Sequence, residues 1–249
     1  MRKSGLLLTT MVAALTLAGC KTLSLDDVVS LGTDGAQALS LTDQDIKMMS
    51  DQSCAQMDAQ SKVAPAGSKY AQRLNRIAKS LGNNIDGTTI NYKVYMTPDV
   101  NAWAMANGCV RVYSGLMDMM NDNELQGILG HELGHVALGH TKKRFQVAYA
   151  TKFARSAAGK VNNSAVAVLS SSQLGELAED VINAQFSQSQ ESDADNYSYD
   201  YLKKRNINTE GLASGFEKLG GGKSNLLSSH PASSKRAADI RKRIAADKK

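Results

Sequence analysis

Hydrophobic residues recur along this chain at two different spacings, which divide it into helical and extended segments. Apolar positions three and four residues apart predict helices over residues 43–60 and 66–81. The same period continues over residues 173–205, and a C-terminal helix is predicted from Ser233 to Ala246. A further helix is predicted over residues 122–141, with an apolar stripe formed by Leu125, Ile128, Leu129, Val136 and Leu138.

The helix predicted over residues 122–141 has a start signal and an unusual number of glycines. Asp122 or Asn123 can cap its first turn, and Glu124 suits the positive end of the helix dipole. A glycine inside a helix costs about 1 kcal/mol relative to alanine. Close packing around this helix would explain why four are present: Gly127, Gly130, Gly134 and Gly139.

Extended segments precede this helix. Residues 89–96 alternate between apolar and polar positions, which predicts a strand. Residues 101–106 and 109–114 flank Asn107-Gly108, the strongest short-range signal for a β-hairpin. The sequence therefore predicts an α+β, mainly helical domain with a small antiparallel or mixed sheet.

The predicted helix over residues 122–141 contains the most informative motif of the chain, His131-Glu132-Leu133-Gly134-His135. Residues four apart lie on one face of a helix, about 6 Å apart along the axis, so both imidazoles can reach one metal ion. A catalytic zinc ion usually has three protein ligands and an open position for water. Glu132 can take a proton from that water, as in zinc metalloproteases. A solvated helix with incidental histidines is the alternative interpretation.

The third ligand must come from another part of the chain. Glu191 and Asp195 lie four apart on one face of the predicted helix over residues 173–205. Glu191 is the predicted third ligand, and Asp195 would bond the far nitrogen of a ligating histidine and fix its orientation. A solvated acidic helix face would show the same pattern, although a nearby cation would relieve the repulsion between these carboxylates.

These motifs together resemble those of a known peptidase family. His131-Glu132-Leu133-Gly134-His135 followed by Glu191-Ser192-Asp193-Ala194-Asp195 is similar to the pattern of the gluzincins that include the CAAX prenyl proteases and the membrane peptidase HtpX. The resemblance extends from about residue 41 to the C-terminus and implies a zincin-like metallopeptidase domain. It also implies one Zn²⁺ per chain and protein or peptide substrates.

The resemblance assigns roles to two further segments. The stretch Asn101, Ala102, Trp103 and Ala104 resembles the family's strand at the substrate edge of the sheet. His230, followed by Pro231 and Arg236, resembles a late histidine element beside the active site. His230 would stabilise the oxyanion of the tetrahedral intermediate or occupy the water position as a fourth ligand. Arg236 would support the ligands, and a surface histidine at a helix start is the alternative for His230.

The N-terminus predicts export and lipidation. Arg2 and Lys3 precede an apolar run that is too short to span a bilayer, as in a signal peptide over residues 1–19. Leu17-Ala18-Gly19-Cys20 looks like a bacterial lipobox, which predicts cleavage before Cys20 and its acylation. Residues 20–40 are then a lipidated tether to a metallopeptidase domain over residues 41–249. Lys21, by resemblance to lipoprotein sorting, favours the outer membrane.

Charge and cysteine content refine this interpretation. Loss of Arg2 and Lys3 with the signal peptide leaves 27 basic and 24 acidic side chains, so the net charge falls from +5 to +3. Such a balance is not typical of a nucleic-acid-binding protein. Cys54 and Cys109 are the two cysteines left after Cys20, and an oxidising periplasm favours a disulfide between them. Two buried free thiols are the alternative.

The sequence thus predicts a zinc metalloendopeptidase, anchored by lipid to the outer membrane and facing the periplasm, that cleaves periplasmic or outer-membrane proteins. A lipoprotein chaperone or assembly factor with a closed or structural zinc site is the alternative. Glu132 argues against it, because a structural site needs no general base. The Ala- and Ser-rich residues 145–172 form either a lid over the cleft or a surface excursion.

Overall fold

Helices dominate the computed structural model, which describes residues 41–156, 169–220, 225–230 and 233–248. This architecture confirms the predicted fold class, a mainly helical α+β domain with a small sheet. In chain order the elements are α1 Asp43–Gln60, α2 Lys69–Leu81, β1 Asn84–Ile85, β2 Thr88–Thr89, β3 Asn91–Tyr95, β4 Ala102–Ala104, β5 Cys109–Tyr113, α3 Ser114–Met119, α4 Asp122–Ala137, α5 His140–Ser156, α6 Ser171–Asn183, α7 Gln188–Lys204, α8 Glu210–Gly220, α9 Leu226–Ser229 and α10 Ser233–Asp247.

The main sheet has three strands in the order β3-β5-β4 and is mixed. β4 and β5 form the predicted antiparallel hairpin, with Trp103 opposite Arg111, and Gly108 turns the chain with a φ of 84°. β3 lies parallel to β5 on the other side. β1 and β2 form a separate two-stranded antiparallel ribbon. β4 is therefore an edge strand of the main sheet.

Two predicted helices are each divided in two. The helix predicted over residues 122–141 ends at Ala137, and Gly139 has a left-handed φ of 70° before α5 begins at His140. The helix predicted over residues 173–205 is broken where Ala184 is extended. Ser187 then starts α7, because its hydroxyl accepts a hydrogen bond from the Gln190 amide. Local capping therefore overrides a continuous apolar pattern.

The cap of α4 differs from the prediction. Asn121, and not Asp122 or Asn123, is the N-cap residue. The Glu124 amide donates to the Asn121 side chain at 2.9 Å, and the Asn121 amide donates to the Glu124 carboxylate at 2.9 Å. This capping box satisfies two amides of the first turn at once, which a cap one or two residues later would not do.

The central helix α4 is packed on several sides, and two of its glycines permit this. A Cβ on Gly134 would lie 3.0 Å from the Ala194 carbonyl oxygen of α7. A Cβ on Gly127 would lie 2.5 Å from the Leu212 Cα of α8. The prediction of close packing is thus confirmed for these two positions. Gly139 is different, since nothing lies within 4 Å of such a Cβ and its positive φ is what requires glycine.

Apolar layers cover both faces of the main sheet. Val94, Val110 and Val112 belong to the large core that includes α2, α4 and α8. On the other face, Trp103 and Cys109 pack in a smaller cluster with residues of α1 and α6. The sheet and α4 therefore share one core, which places the edge strand beside the motif-bearing helix.

Several predicted features lie outside the described residues. These are the signal peptide over residues 1–19, Cys20, the tether up to residue 40, residues 157–168 of the predicted lid, and Pro231. Of the predicted lid, residues 145–156 belong to α5. Among the helices that the structure does describe, none combines the length and the apolar character needed to cross a bilayer.

Candidate metal centre

Two histidines of the motif face the same buried side of α4. His131 and His135 are each 1% exposed, and their Nε2 atoms lie 3.0 Å apart. Burial lowers the pKa of His135 well below its usual value, although a hydrogen bond with Glu191 acts in the opposite direction. The neutral form of imidazole, with a free lone pair, is the form that binds a metal ion.

Glu191 approaches these two nitrogens from α7. It lies in the first turn of that helix, which the small residues Gly134 and Ala194 allow to pack closely against α4. Its Oε1 atom lies 3.3 Å from Nε2 of His135, and its Oε2 atom lies 3.7 Å from Nε2 of His131. The structure therefore brings together the three residues that the sequence predicts as ligands.

His230 joins the same group from a distant part of the chain. It follows the short helix α9, and its amide donates to the Leu226 carbonyl at 2.9 Å. Its Nδ1 atom lies 3.2 Å from Nε2 of His131 and 2.9 Å from Oε1 of Glu191. His230 is 4% exposed, so it is not the surface histidine of the alternative interpretation.

The four side chains His131, His135, Glu191 and His230 fit a metal ion. One donor atom from each lies within 4.8 Å of all the others, and all four residues are buried. Donors at about 2.0–2.2 Å from a tetrahedral zinc ion would lie roughly 3.3–3.5 Å from one another, close to the separations above. Three imidazole rings and a carboxylate whose lone pairs face one another at these distances are stabilised by a cation between them. The donor set, nitrogen with one carboxylate, is typical of zinc.

Asp195 and Arg236 support the donor atoms from behind. Oδ1 of Asp195 lies 2.9 Å from Nδ1 of His131, as predicted for a residue that orients a ligand. Arg236, from α10, donates through Nε to Oδ2 of Asp195 at 2.7 Å and also bonds Glu191. Burial raises the pKa of Asp195, but hydrogen bonds with Arg236 and His131 outweigh it and leave the pKa below its usual value. Asp195 is thus held as a carboxylate.

Glu132 lies beside the donor cluster but is not one of its four members. It is 3% exposed, and Oε1 has no hydrogen-bond partner among the residues that the structure describes. Nε2 of His230 lies 3.5 Å from this atom. A buried carboxylate oxygen without a partner is costly, which is expected where a water molecule or substrate completes the site.

The edge strand predicted from Asn101 to Ala104 lies next to α4, with β4 covering Ala102–Ala104. Backbone bonds from Tyr113 to Asn101 and from Met105 to Cys109 join the hairpin. By alternation, the peptide groups of Ala102 and Ala104 point away from β5, to the side of β4 that pairs with no strand among the described residues. Trp103 and Met105, within and just after β4, are 4% and 0% exposed and belong to the core.

Sequence reasoning missed three residues around His135. His140 lies with Nδ1 3.1 Å from Nδ1 of His135, and the Phe186 ring stacks on the His135 ring at 3.6 Å between centroids. The Arg144 guanidinium carbon lies 3.3 Å from the Phe186 ring centroid. His140 could have been noticed, since the chain has only four histidines and the other three belong to the donor cluster. Phe186 and Arg144 have no such signal in the sequence.

The predicted disulfide is confirmed. Cys54 of α1 and Cys109 of β5 are bonded, with a Cα–Cα distance of 6.6 Å. Arg111, which is 2% exposed, places Nη2 3.0 Å from Sγ of Cys54 and binds Asp58 through Nε at 2.7 Å. The disulfide therefore connects α1 to the sheet at the hairpin that carries the edge strand.

A helix with two histidines and a glutamate, completed by a glutamate from a following helix, defines a gluzincin-type metallopeptidase. Residues 68–244 match the sequence model of Peptidase family M48, and the chain belongs to this family. It is 53% identical to Metalloprotease LoiP of Escherichia coli strain K12, over 97% of each chain, and 52% identical to Metalloprotease YcaL of the same organism, over 100% of each chain. Protease HtpX of Thioalkalivibrio sulfidiphilus is 46% identical over 50 residues, 18% of this chain and 17% of its own.

The predicted family resemblance is therefore confirmed, and the protein is a metallopeptidase, a hydrolase of peptide bonds. Peptidases of family M48 are in general zinc-dependent. The chain spans almost the full length of two curated metalloproteases, so the agreement includes more than the short catalytic motif.

Proposed function

We propose that the protein is a zinc-dependent endopeptidase of the bacterial envelope, attached by lipid at Cys20 to the outer membrane. The observation that carries the zinc assignment is the convergence of His131, His135, Glu191 and His230 on one point. When bound, zinc supplies Lewis-acid chemistry: it lowers the pKa of water towards neutrality and polarises the scissile carbonyl. His131, His135 and Glu191 would hold it.

Glu132 is the general base in this proposal. Its unpartnered Oε1 atom can take a proton from the attacking water and later deliver it to the leaving amine. Electrostatic effects of this kind are stronger in a buried site than in bulk water. Asp195 and Arg236 keep the ring of His131 and the carboxylate of Glu191 in place during the reaction.

The edge of β4 that has no strand partner among the described residues is the proposed binding place for the substrate chain. A peptide in extended conformation can add to this edge, with backbone bonds to the outward peptide groups of Ala102 and Ala104. Main-chain bonding is largely independent of side chains, so it suits an endopeptidase that acts on varied proteins. Asn101, which is 8% exposed and whose Oδ1 atom has no partner among the described residues, marks the start of this edge.

His230 is best explained as a fourth donor that closes the site at rest. Its Nδ1 atom lies 3.2 Å from Nε2 of His131 and 2.9 Å from Oε1 of Glu191. These separations are close to those expected between two ligands of the same zinc ion. Four protein donors leave no position for water, so the segment around His230 would have to move before catalysis. This closed arrangement also favours, as a second candidate, the chaperone or assembly factor with a closed metal site.

Substrate trapping separates the two candidates. Full-length protein with Glu132→Gln, purified from the envelope, should retain substrates whose cleavage products accumulate with the wild type, and mass spectrometry identifies both. Captured proteins that the wild type never cleaves would instead support the chaperone.

The proposed envelope location rests on Leu17-Ala18-Gly19-Cys20 and Lys21. Mass spectrometry of the mature N-terminus should find acylated Cys20, and fractionation should place the protein in the outer membrane. An unmodified Cys20 in the native protein would contradict this part of the proposal.

A further inference from the structure

The start of α5 turns back onto the candidate metal centre. Gly139 reverses the chain with its left-handed φ of 70°, so α5 begins at His140, only five residues after His135. His140 is 7% exposed, and its Nδ1 atom lies 3.1 Å from Nδ1 of His135. The contact is therefore made by the ring nitrogen of His135 that does not belong to the donor cluster.

The chemistry of imidazole gives this contact a direction. A neutral imidazole carries one proton, so a ring that offers the lone pair of one nitrogen to a metal has its proton on the other. Nε2 of His135 lies 3.0 Å from Nε2 of His131 inside the cluster. Nδ1 of His135 is then the protonated nitrogen, and it donates to Nδ1 of His140.

The two ligand rings thus have different acceptors. Nδ1 of His131 faces the carboxylate of Asp195 at 2.9 Å, whereas Nδ1 of His135 faces another imidazole. His140 itself does not belong to the four-donor group within the described residues. It lies behind the His135 ring and is in no position to bind the same ion.

A second contact holds the face of the His135 ring. Phe186 lies in the break between α6 and α7 and stacks on His135 with an interplanar angle of 10°. Arg144, one turn after His140 on α5, lies over the Phe186 ring and donates to the Val181 carbonyl at 2.9 Å. Packing from Phe186 resists tilting of the ring, but a stack cannot determine which nitrogen carries the proton.

We propose that His140 is a positioning residue that fixes the tautomer of His135 by accepting a hydrogen bond from its Nδ1–H group. This inference rests on the proposed function, in which His135 is a metal ligand. An acceptor at this place orients the lone pair of Nε2 and raises its basicity, which strengthens metal binding. His140 acts only through His135 and does not touch the substrate.

Three full-length variants test this role. His140→Phe keeps a ring but removes the acceptor, His140→Asn keeps an acceptor near the Nδ1 position, and Lys143→Ala on the exposed side of α5 is the matched control. Zinc affinity is measured by competition with a chromophoric chelator, and the melting temperature of each metal-free protein is measured alongside. The His140→Phe protein should bind zinc about 10- to 100-fold more weakly, with His140→Asn and Lys143→Ala within about threefold of the wild type.

If His140 acted only by packing against His135, the variants would show a different pattern of zinc affinities. Equal weakening in the Phe and Asn variants, or wild-type affinity in the Phe variant, would overturn the role of His140. If the Phe variant does not fold, His140→Ala provides the same comparison with Asn. His135→Ala is included because undiminished zinc binding in that variant would instead refute the proposed function itself.

Discussion

At the scale of single residues, the account depends on polar and titratable side chains that are buried together at the candidate metal centre. Glu132 and the four-donor group of His131, His135, Glu191 and His230 lie in the interior, where unpaired polar atoms are costly. A fold retains such a group where it performs chemistry. The two supporting residues Asp195 and Arg236 are also buried and satisfy the outer atoms of the cluster.

Replacing His230 tests whether this residue closes the site. His230→Ala removes the donor at the fourth position while His131, His135 and Glu191 remain. We expect bound zinc to stay at about one per chain and the rate of peptide cleavage to rise, because water gains access. Cleavage rate and zinc content are measured on the same preparation.

Other outcomes of the His230→Ala experiment have distinct meanings. A large fall in turnover with zinc retained would show that His230 stabilises the oxyanion and does not act as a gate. Unchanged kinetics would place His230 outside the mechanism.

At the scale of the elements, much of the fold could be predicted because its patterns are local. α1 was predicted with the bounds it has, and the hairpin around Asn107-Gly108 follows from the conformational preferences of those two residues. The parallel pairing of β3 with β5 could not be predicted, since it depends on contacts between distant segments. The breaks at Gly139 and Ala184 were missed because apolar residues continue across them.

The candidate site was predictable to a similar extent. The spacing of His131, Glu132 and His135 alone predicts a zinc site with a general base. Glu191 and Asp195 are predicted from their helical spacing together with the family resemblance. The contacts of Phe186 and Arg144 arise only when α5 and the break before α7 meet at His135. The residue pattern within one segment cannot predict a contact between two distant segments.

The close approach of α4 and α7 at Gly134 is open to a direct test. A Cβ there would meet the Ala194 backbone at 3.0–3.2 Å, so Gly134→Ala must shift α7 by a few tenths of an ångström at Ala194, one turn after Glu191. We expect a loss of about 1–2 kcal/mol in the free energy of unfolding, despite better helix propensity, and weaker zinc binding. Denaturant unfolding and chelator competition measure the two effects.

Gly175→Ala in α6 is the matched control for this substitution. Its Cβ would meet only flexible glutamine side chains at 3.7 Å or more, so propensity should stabilise the helix by about 1 kcal/mol. If Gly134→Ala behaved like this control, the approach of the two helices would not determine the position of Glu191.

At the scale of the whole molecule, a charged cluster and a disulfide tie α1 to the sheet. Asp58 accepts hydrogen bonds from Arg111, Lys93 and Tyr95, each at 2.7 Å, next to the bond between Cys54 and Cys109. Burial raises the pKa of Asp58, but these three partners outweigh it and lower the pKa to about 2. The contact between α1 and the sheet is thus held by both a covalent bond and ion pairs.

The lowered pKa of Asp58 predicts a pH dependence of stability. A carboxyl group whose pKa is lower in the folded than in the unfolded state stabilises the fold above about pH 4, and this contribution is lost as the pH falls towards 2. It should amount to about 1–2 kcal/mol after allowance for solvent screening. Asp58→Asn should remove this pH dependence and cost about 3 kcal/mol at pH 7, because Arg111 loses its charged partner.

Urea unfolding between pH 2 and pH 7 measures this effect. Asp51→Asn is the control, since Asp51 pairs with Lys47 on the exposed side of α1 and an asparagine oxygen can still accept the hydrogen bond from the Asn107 amide. This substitution should change stability by less than about 0.5 kcal/mol. A stability profile for Asp58→Asn that is parallel to the wild-type profile would show that the cluster contributes no pH dependence.

The central claim, that Glu132 acts on water at a zinc ion held by this chain, is tested most directly by one paired measurement. Zinc per chain and the rate of casein cleavage are determined for full-length wild type and Glu132→Gln protein. The account predicts about one zinc per chain in both, and a rate at least about 100-fold lower in the variant. Wild-type cleavage by Glu132→Gln protein, or undiminished cleavage by wild type stripped of zinc, would contradict it.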